Sequence, residues 1–488
     1  MRKRNKFDLS NYKQFSCNQG ELVPVGIQEV LPGDSFQQTT QALVRLSPLV
    51  NPVMHPVHCS IQHYFVPYRL IMDDWESFIT GGETGADSTT FPTITLTPSA
   101  GSLSDYMGLP LGTSVSVNAL PFRAYALIYN EYFRDQDLQT ALTIDTSDGT
   151  DTTTNTTLQK ANWTKDRFTS SRDSSQKGQE ISLPLGSKAY VASQTTNTNN
   201  LTIENSVIGS DNYLMNAGSA NLTMTQNSQA GEEYKLYADL TNASSATITE
   251  LREAFALQSF AEHRMLFGGR YSEYLKFLGI KYSDGRLDRP EFLGGGKRTI
   301  QFSEVLQTGV DSTDNGLGNL GGHGITALKS NRFRRFFEEH GLIVTLMCTK
   351  PAPMYHQGLK KLWSKTTKED FFQYELEGIG QEEVKNKEVY VAHTTPDGTF
   401  GYQNRYDEYR HATNSVAGDL RPGQLLEEYT MCRDFSSDPT LNSTFITCNP
   451  TDRIYASTAT DQLIIMAYNK VKARRMMRKQ GTPISLVR

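Results

Sequence analysis

The sequence predicts a mainly β, antiparallel fold with long loop insertions and a few short helices. Three observations carry that reading. Strand-like apolar runs are separated by clusters of Pro, Gly, Asn and Asp; the clearest run places one set of side chains on each of two faces; and the intervening chain is rich in Ser, Thr and Asn.

The organising stretch runs from Gly20 to Gly82 and contains ELVPVGIQEVLPGDSF, ALVRLSPLVNPVMHPVHCSIQHYFVPYRL and IMDDWESFITGG. Pro32-Gly33-Asp34 and the segment Pro48 to Pro52 break it into three strand-like runs. In the third run, Val57, Cys59, Ile61, His63 and Phe65 share one face while His58, Ser60, Gln62, Tyr64 and Val66 share the other. Trp75 and Phe78, three apart, then predict a short helix that Gly81 and Gly82 end.

Leu120 to Leu138 reads as a helix with Pro121 in its first turn. Tyr125, Ile128, Tyr129 and Tyr132 recur on one face as core or subunit contact. Residues 140–157 form a polar excursion without periodicity. In residues 187–245 about two positions in five are Ser, Thr or Asn, so the segment carries no core and predicts a projecting, weakly β-structured insertion. A capping box at Thr247 and Glu250 opens a helix whose Ile248, Leu251, Ala254, Phe255, Leu257, Ala261 and Met265 are expected to pack on the main body. RPEFLGGG at 289–296 reads as a turn. GLGNLGGHG at 316–324 reads as a Gly-rich loop, and its G-x-G-x-x-G match lacks the preceding strand and following helix of a dinucleotide site. RFRRFFEE and LIVTLMC flank His340-Gly341 as two strands, and DQLIIMAYNKV at 461–471 is the last.

The 37% hydrophobic fraction of this 488-residue chain is enough for a core. A net charge of -5 and a pI near 6.0 restrict any nucleic-acid contact to local patches. Cys17, Cys59, Cys348, Cys432 and Cys448 are scattered and odd in number, signalling neither a disulfide framework nor zinc. The basic start MRKRNKFDLSNYK is followed by no apolar signal region, and no apolar run approaches the roughly 20 residues of a membrane span, so no membrane insertion is expected. A soluble protein made in a reducing cytoplasm is the expectation.

Two basic patches are candidates for nucleic acid. Arg2, Lys3, Arg4 and Lys6 form an amino-terminal arm, and Lys470, Lys472, Arg474, Arg475, Arg478 and Lys479 lie in a carboxy-terminal stretch without an acid. Six phosphate contacts would give a single-strand salt slope of about -4. The densest mixture of rings and charges is FGYQNRYDEYR at 400–410, a composition that interfaces favour. Trp75, Tyr125, Tyr129, Tyr402, Arg405, Tyr406, Tyr409 and Arg410 are the candidate subunit contacts. His55, His58 and His63 do not form a metal site on one strand: His58 and His63 face apart, and His55 and His63 are separated by about 27 Å. No motif of a hydrolase, metalloprotease or nucleotide-binding loop occurs, so no catalytic residue, metal or cofactor is predicted.

HPVHCSIQHYFVPYRL, LPFRAYALIYNEYFRDQDLQ, SLPLG at 182–186, RPEFLGGG, the Tyr355 to Trp363 segment and FGYQNRYDEYR together resemble the major capsid protein of gokushoviruses, single-stranded DNA bacteriophages of the microvirus group. The resemblance covers nearly the whole chain and keeps the motif order. It implies a single eight-stranded antiparallel jelly roll with large loops, in a T=1 icosahedral shell around circular single-stranded DNA. It divides the chain into a basic arm (1–19), a first part of the core (20–186), a surface insertion at the three-fold protrusions (187–245), the remaining core and interface loops (246–469) and a basic tail (470–488). Residues 140–157 become a second surface elaboration. The implied partners are further copies of the chain, the genome against both basic termini, other phage structural or scaffolding proteins, and a host receptor or glycan met by the insertion. The implied location is the virion, assembled in the bacterial cytoplasm. A β-sandwich carbohydrate-binding protein or glycosidase is the alternative from another class, with exposed rings and scattered acids as its features. A free single-stranded-DNA-binding module would need a broader basic groove.

Overall fold

The computed structural model describes residues 4–82, 87–178, 190–193, 201–204, 212–217, 222–227, 236–239, 248–267, 288–306 and 320–479. The chain divides into two compact units, Met1–Ser175 with Leu275–Arg488 and Gln176–Tyr274.

The first unit begins with β1 (Asn5–Asp8), β2 (Asn11–Cys17), β3 (Val23–Val30), β4 (Ser35–Leu46) and β5 (Val57–Pro67). Helix α1 (Trp75–Thr80), β6 (Thr93–Leu96), α2 (Leu103–Tyr106), β7 (Val115–Asn118), α3 (Leu120–Ile128) and β8 (Thr150–Asp151) follow. In the second unit lie β9 (Tyr190–Ser193), β10 (Leu201–Glu204), β11 (Asn212–Ala217), β12 (Leu222–Asn227), β13 (Leu236–Asp239) and α4 (Ile248–Phe267). The chain returns through β14 (Glu291–Thr299), β15 (Gln301–Leu306), β16 (Leu320–Lys329), β17 (Phe333–Phe336), β18 (Gly341–Pro351), β19 (Gln381–Lys385), β20 (Thr399–Asn404) and β21 (Leu463–Arg475).

Eight of these strands form a nested hairpin. β2 pairs with β21, β3 with β18, β4 with β16 and β5 with β14, each antiparallel. β21 also pairs with β4, and β18 with β5, so the eight close into two sheets ordered β2-β21-β4-β16 and β3-β18-β5-β14. This is a jelly roll. β1, β15 and β17 widen the first sheet to seven strands. Between the sheets lies a core that includes Val23, Val25, Val44, Ile61, Met347, Leu463 and Ile465.

The two sheets differ in what covers them. Tyr64, Val66, Leu342, Val344 and Leu346 on the far face of the second sheet pack with Trp75 of α1, Leu103 of α2 and Leu120, Phe122 and Tyr125 of α3. Burial on both faces explains why β18 reads as an unbroken apolar run. No helix of the described first unit enters the outer face of the first sheet; β21 keeps an inside-outside alternation along its length, and β4 does so except at Thr39, which is buried between Gln38 and Thr40.

Three expectations change. The helix predicted over 120–138 ends at Ile128, and a π turn follows over Tyr129–Phe133. The Asn130 carboxamide binds the Leu142 backbone in both directions, Nδ2 donating to O at 2.9 Å and Oδ1 accepting from N at 2.8 Å, which holds the departing chain. RPEFLGGG is not a turn: it enters β14, where a Cβ on Gly295 would stand 2.4 Å from the Ile61 carbonyl. The described part of GLGNLGGHG enters β16, where a Cβ on Gly322 would meet the Asn51 carbonyl oxygen at 2.4 Å. These glycines therefore report close backbone approach inside a sheet. Gly322→Ala is expected to cost about 1–3 kcal/mol, read from the denaturation midpoint, because carbonyl and Pro52 backbone must move. An unchanged midpoint would contradict that crowding.

RFRRFFEE and LIVTLMC do contain strands, but they pair in different sheets, β17 with β4 and β18 with β3 and β5. In the second unit β9 pairs with β13, and β10, β11 and β12 form a meander. That unit also takes in α4, which the sequence assigned to the body. Ala261 and Met265 of α4 are buried, whereas Phe255, Leu257 and Phe260 are exposed. Thr247 of the expected capping box lies outside the described residues. Among the described residues, no helix is long and apolar enough to cross a membrane.

Candidate nucleic-acid interface

The open outer face of the first sheet gathers four of the ten predicted basic residues, Lys6, Lys470, Lys472 and Arg474, together with cations that the sequence did not single out. Antiparallel partners point to the same side, so the register fixes its rows. Lys6, Arg474, Ser35 and Phe336 form one row. Asp8, Lys472, Gln37 and Arg334 form the next, followed by Lys470 with Thr39. Tyr12, Tyr468, Gln41 and Lys329 come next, then Gln14, Met466, Leu43 and Ala327, and last Ser16, Ile464, Arg45 and Ile325. Lys6, Lys470, Arg474, Arg334, Lys329 and Arg45 are exposed and Lys472 is half-buried.

These rows hold seven cationic side chains and one carboxylate. The carboxylate is Asp8. Hydrogen bonds from the Ser10 hydroxyl and amide, with the nearby Lys472 and Lys470 charges, hold its pKa below the ordinary value. It remains an anion that offsets one neighbouring lysine.

The predicted basic residues thus part company. Arg2 and Lys3 lie outside the described residues. Arg4 is exposed, with its guanidinium 4.8 Å from the Phe336 ring centroid. Lys470, Lys472 and Arg474 belong to β21 and not to a free tail; the strand runs on because β4 continues to pair with it as far as Ser35. Arg475 takes the opposite parity and turns inward. Its Nε donates to Asp34 Oδ2 at 2.9 Å, its Nη2 donates to the Glu29 carbonyl, and its guanidinium covers the Phe36 ring. Burial pushes the Asp34 carboxyl above its ordinary pKa despite the Leu31 N–H and Arg475 beside it. Arg475 is therefore a structural group. Arg478 and Lys479 are exposed beyond the strand end.

The candidate contact residues divide too. Tyr125 is fully buried and donates its hydroxyl to the Leu22 carbonyl at 2.9 Å. Tyr129 is buried in the same cluster, and Trp75 packs edge-on against Tyr68 and His340. These rings have their partners within the chain. Tyr406 is buried as well, in a left-handed conformation (φ 63°), with its hydroxyl donating to the Glu369 carbonyl at 3.1 Å. Tyr402 and Arg405 are half-buried, and Tyr409 and Arg410 are exposed. The Lys365 ammonium sits 4.0 Å from the Tyr409 ring centroid, and Arg410 Nη2 donates to Glu377 Oε1 at 2.8 Å. Nearby Trp363 and Tyr374, which sequence reasoning did not select, are 72% and 79% exposed.

The histidines have separate hydrogen-bonding partners. His58 Nδ1 pairs with the Thr299 hydroxyl at 3.0 Å, whereas His55 and His63 are buried. Among the described residues no group of His, Cys, Asp and Glu is arranged to hold a metal.

A family model described as "Capsid protein (F protein)" matches residues 1–485. The chain is 34% identical to the capsid protein VP1 of Bdellovibrio phage phiMH2K, over 94% of this chain and 90% of that one. It is 32% identical to the capsid protein VP1 of Chlamydia phage 1, covering 93% and 91%. It is 30% identical to the capsid protein VP1 of Spiroplasma virus 4, covering 91% and 87%.

Proposed function

Because this chain belongs to the phage capsid-protein (F protein) family and is a major capsid protein of the gokushovirus type, we propose that its copies close into a T=1 shell around circular single-stranded DNA. In this reading the basic rows of the first sheet face the genome. One observation carries the orientation: the second sheet is covered on both faces by its own chain, while the first presents a cation-rich face that no described helix of its unit covers.

The protein's role is structural, in the virion. Copies meet through heterologous contacts around Tyr402, Arg405, Tyr409 and Arg410, with Trp363 and Tyr374 as exposed anchors. Other phage structural or scaffolding proteins guide that assembly in the bacterial cytoplasm. The 187–245 insertion, polar in composition, supplies the outer surface that meets a host receptor or glycan. No catalytic step enters this role.

Replacing Lys6, Lys470, Lys472 and Arg474 together by Gln tests the orientation. Four lost phosphate contacts are expected to flatten the single-strand salt slope by about 3 and to lower the DNA content of purified particles. Three of these side chains are exposed and Lys472 is half-buried, and glutamine keeps most of its stem, so folding is expected to survive. Unchanged salt dependence and unchanged packaging would remove this face from contact with the genome.

A further inference from the structure

Beyond phosphate contact, we propose that the ring pair Tyr12–Tyr468 and the depression beside it form a stacking site for an unpaired nucleobase. The proposal rests on the reading that this sheet faces the genome. The two rings stack with centroids 4.5 Å apart and planes 25° from parallel. Tyr12 is nevertheless 70% exposed, so the stack has an open end. Beside the rings lies a depression of 360 Å³ whose lining includes Gln41, Leu43, Lys329 and Met466.

The chemistry of this lining matches one nucleotide. A base needs a flat π face, apolar surface beneath it and a few polar groups at its edge. The tyrosines, Leu43 with Met466, and the Gln41 carboxamide with the Lys329 ammonium supply these in turn. Its phosphate needs a cation within reach. Lys470 lies two residues along β21 from Tyr468 on the same face, about 6.8 Å away by strand geometry, with Lys472 and Arg474 beyond it. A duplex keeps its bases stacked inside and offers no such face; a single strand does. The surplus of cations on the surrounding rows favours nucleic acid over an apolar protein segment as the occupant.

Photo-crosslinking of purified particles carrying bromodeoxyuridine-substituted DNA tests the site. Nucleotide adducts on Tyr12 or Tyr468 are expected, persisting in Tyr12→Phe and falling in Tyr12→Ala. Adducts on Lys470, Lys472 or Arg474 with none on either tyrosine would overturn the stacking site and leave the phosphate contacts standing. No adduct anywhere on the sheet would overturn the inward orientation as well. A crosslink from Tyr12 to another polypeptide would assign the depression to a protein partner and overturn the proposal. With the dissociated full-length chain, a thymidine oligonucleotide is expected to bind about tenfold more tightly than an abasic strand of equal length, with the same salt slope; equal affinities would contradict stacking.

Discussion

Asp151→Asn is expected to destabilise the chain by about 3–5 kcal/mol, the loss typical of breaking a buried ion pair from one side. Arg123, on α3, is fully buried. Its Nε donates to Asp151 Oδ2 at 2.8 Å, and its Nη1 donates to the carbonyls of Ile71 at 3.0 Å and Ser147 at 2.9 Å. The carboxylate also accepts from the Thr154 hydroxyl at 2.7 Å and the Thr154 amide at 3.0 Å. Burial alone would push the Asp151 pKa up. The Thr154 hydrogen bonds and the Arg123 guanidinium together outweigh it, so the pKa lies below the ordinary value. The network ties α3 to β8 and to the end of the turn after β5. Asparagine keeps the shape and leaves the buried guanidinium only the more distant Asp145 carboxylate, 4.0 Å from Nη2, as a counter-charge. Chemical denaturation of the full chain measures the effect, and a loss below about 1 kcal/mol would show that the pair does not hold this region. Replacing Arg123 and Asp151 together by apolar residues of similar volume is expected to cost less than Asp151→Asn alone.

Acid is expected to loosen the fold between pH 6.5 and 4 through two buried histidines. His63 is fully buried, its ring nitrogens 2.9 Å from the Thr345 and Ser330 hydroxyls. His55 Nε2 donates to the Ala352 carbonyl at 2.7 Å, and its Nδ1 accepts from the Met431 amide at 3.4 Å. That pairing requires the neutral ring. Burial lowers both pKa values to about 4, with the Arg453 charge adding to the effect at His55 against the Ala352 hydrogen bond. A folded-state pKa below the unfolded value of about 6.5 means that the unfolded chain takes up protons first as pH falls. Stability from each neutral ring is complete above pH 6.5, declines on descent and is fully lost below pH 4. The loss is roughly 3 kcal/mol per histidine. His63→Gln, which stays uncharged, is expected to flatten the profile in this window even if it lowers stability at pH 7. An identical pH slope in wild type and variant would exclude His63 as a source.

Strands with unbroken or alternating apolar residues were legible in the sequence: β3, β4, β5, β18 and β21 coincide with the strongest runs. β2 was not, because NYKQFSC places Lys13 among its inner-facing residues. There the ammonium donates to the Pro24 carbonyl at 2.7 Å and to the Tyr106 carbonyl, and burial lowers its pKa to about 8. β14 and β16 were hidden by glycines that read as turns but are needed for close backbone packing. The Thr- and Asp-rich 140–157 stretch looked like surface elaboration, yet it delivers Asp151 to a buried arginine.

The basic patches were legible as charge but not as a surface. Parity along β21 separates Lys470, Lys472 and Arg474 from Arg475, and that could be anticipated from period two once the strand end was known. Arg45, Lys329, Arg334 and Tyr12 join them only through cross-strand register, which links positions hundreds of residues apart. Tyr125 and Tyr129 show the converse. A helical stripe of rings has the same spacing whether it meets its own sheet or another subunit, and here it meets its own.

Cryo-electron microscopy of particles purified after expression with the other phage proteins tests the central claim most directly. The expected result is a closed icosahedral shell whose inner wall includes β21, β4 and β16, with DNA density against Lys470, Lys472 and Arg474. A shell that turns this face outward or seals it against a neighbouring subunit, or only free monomers under every condition, would contradict it.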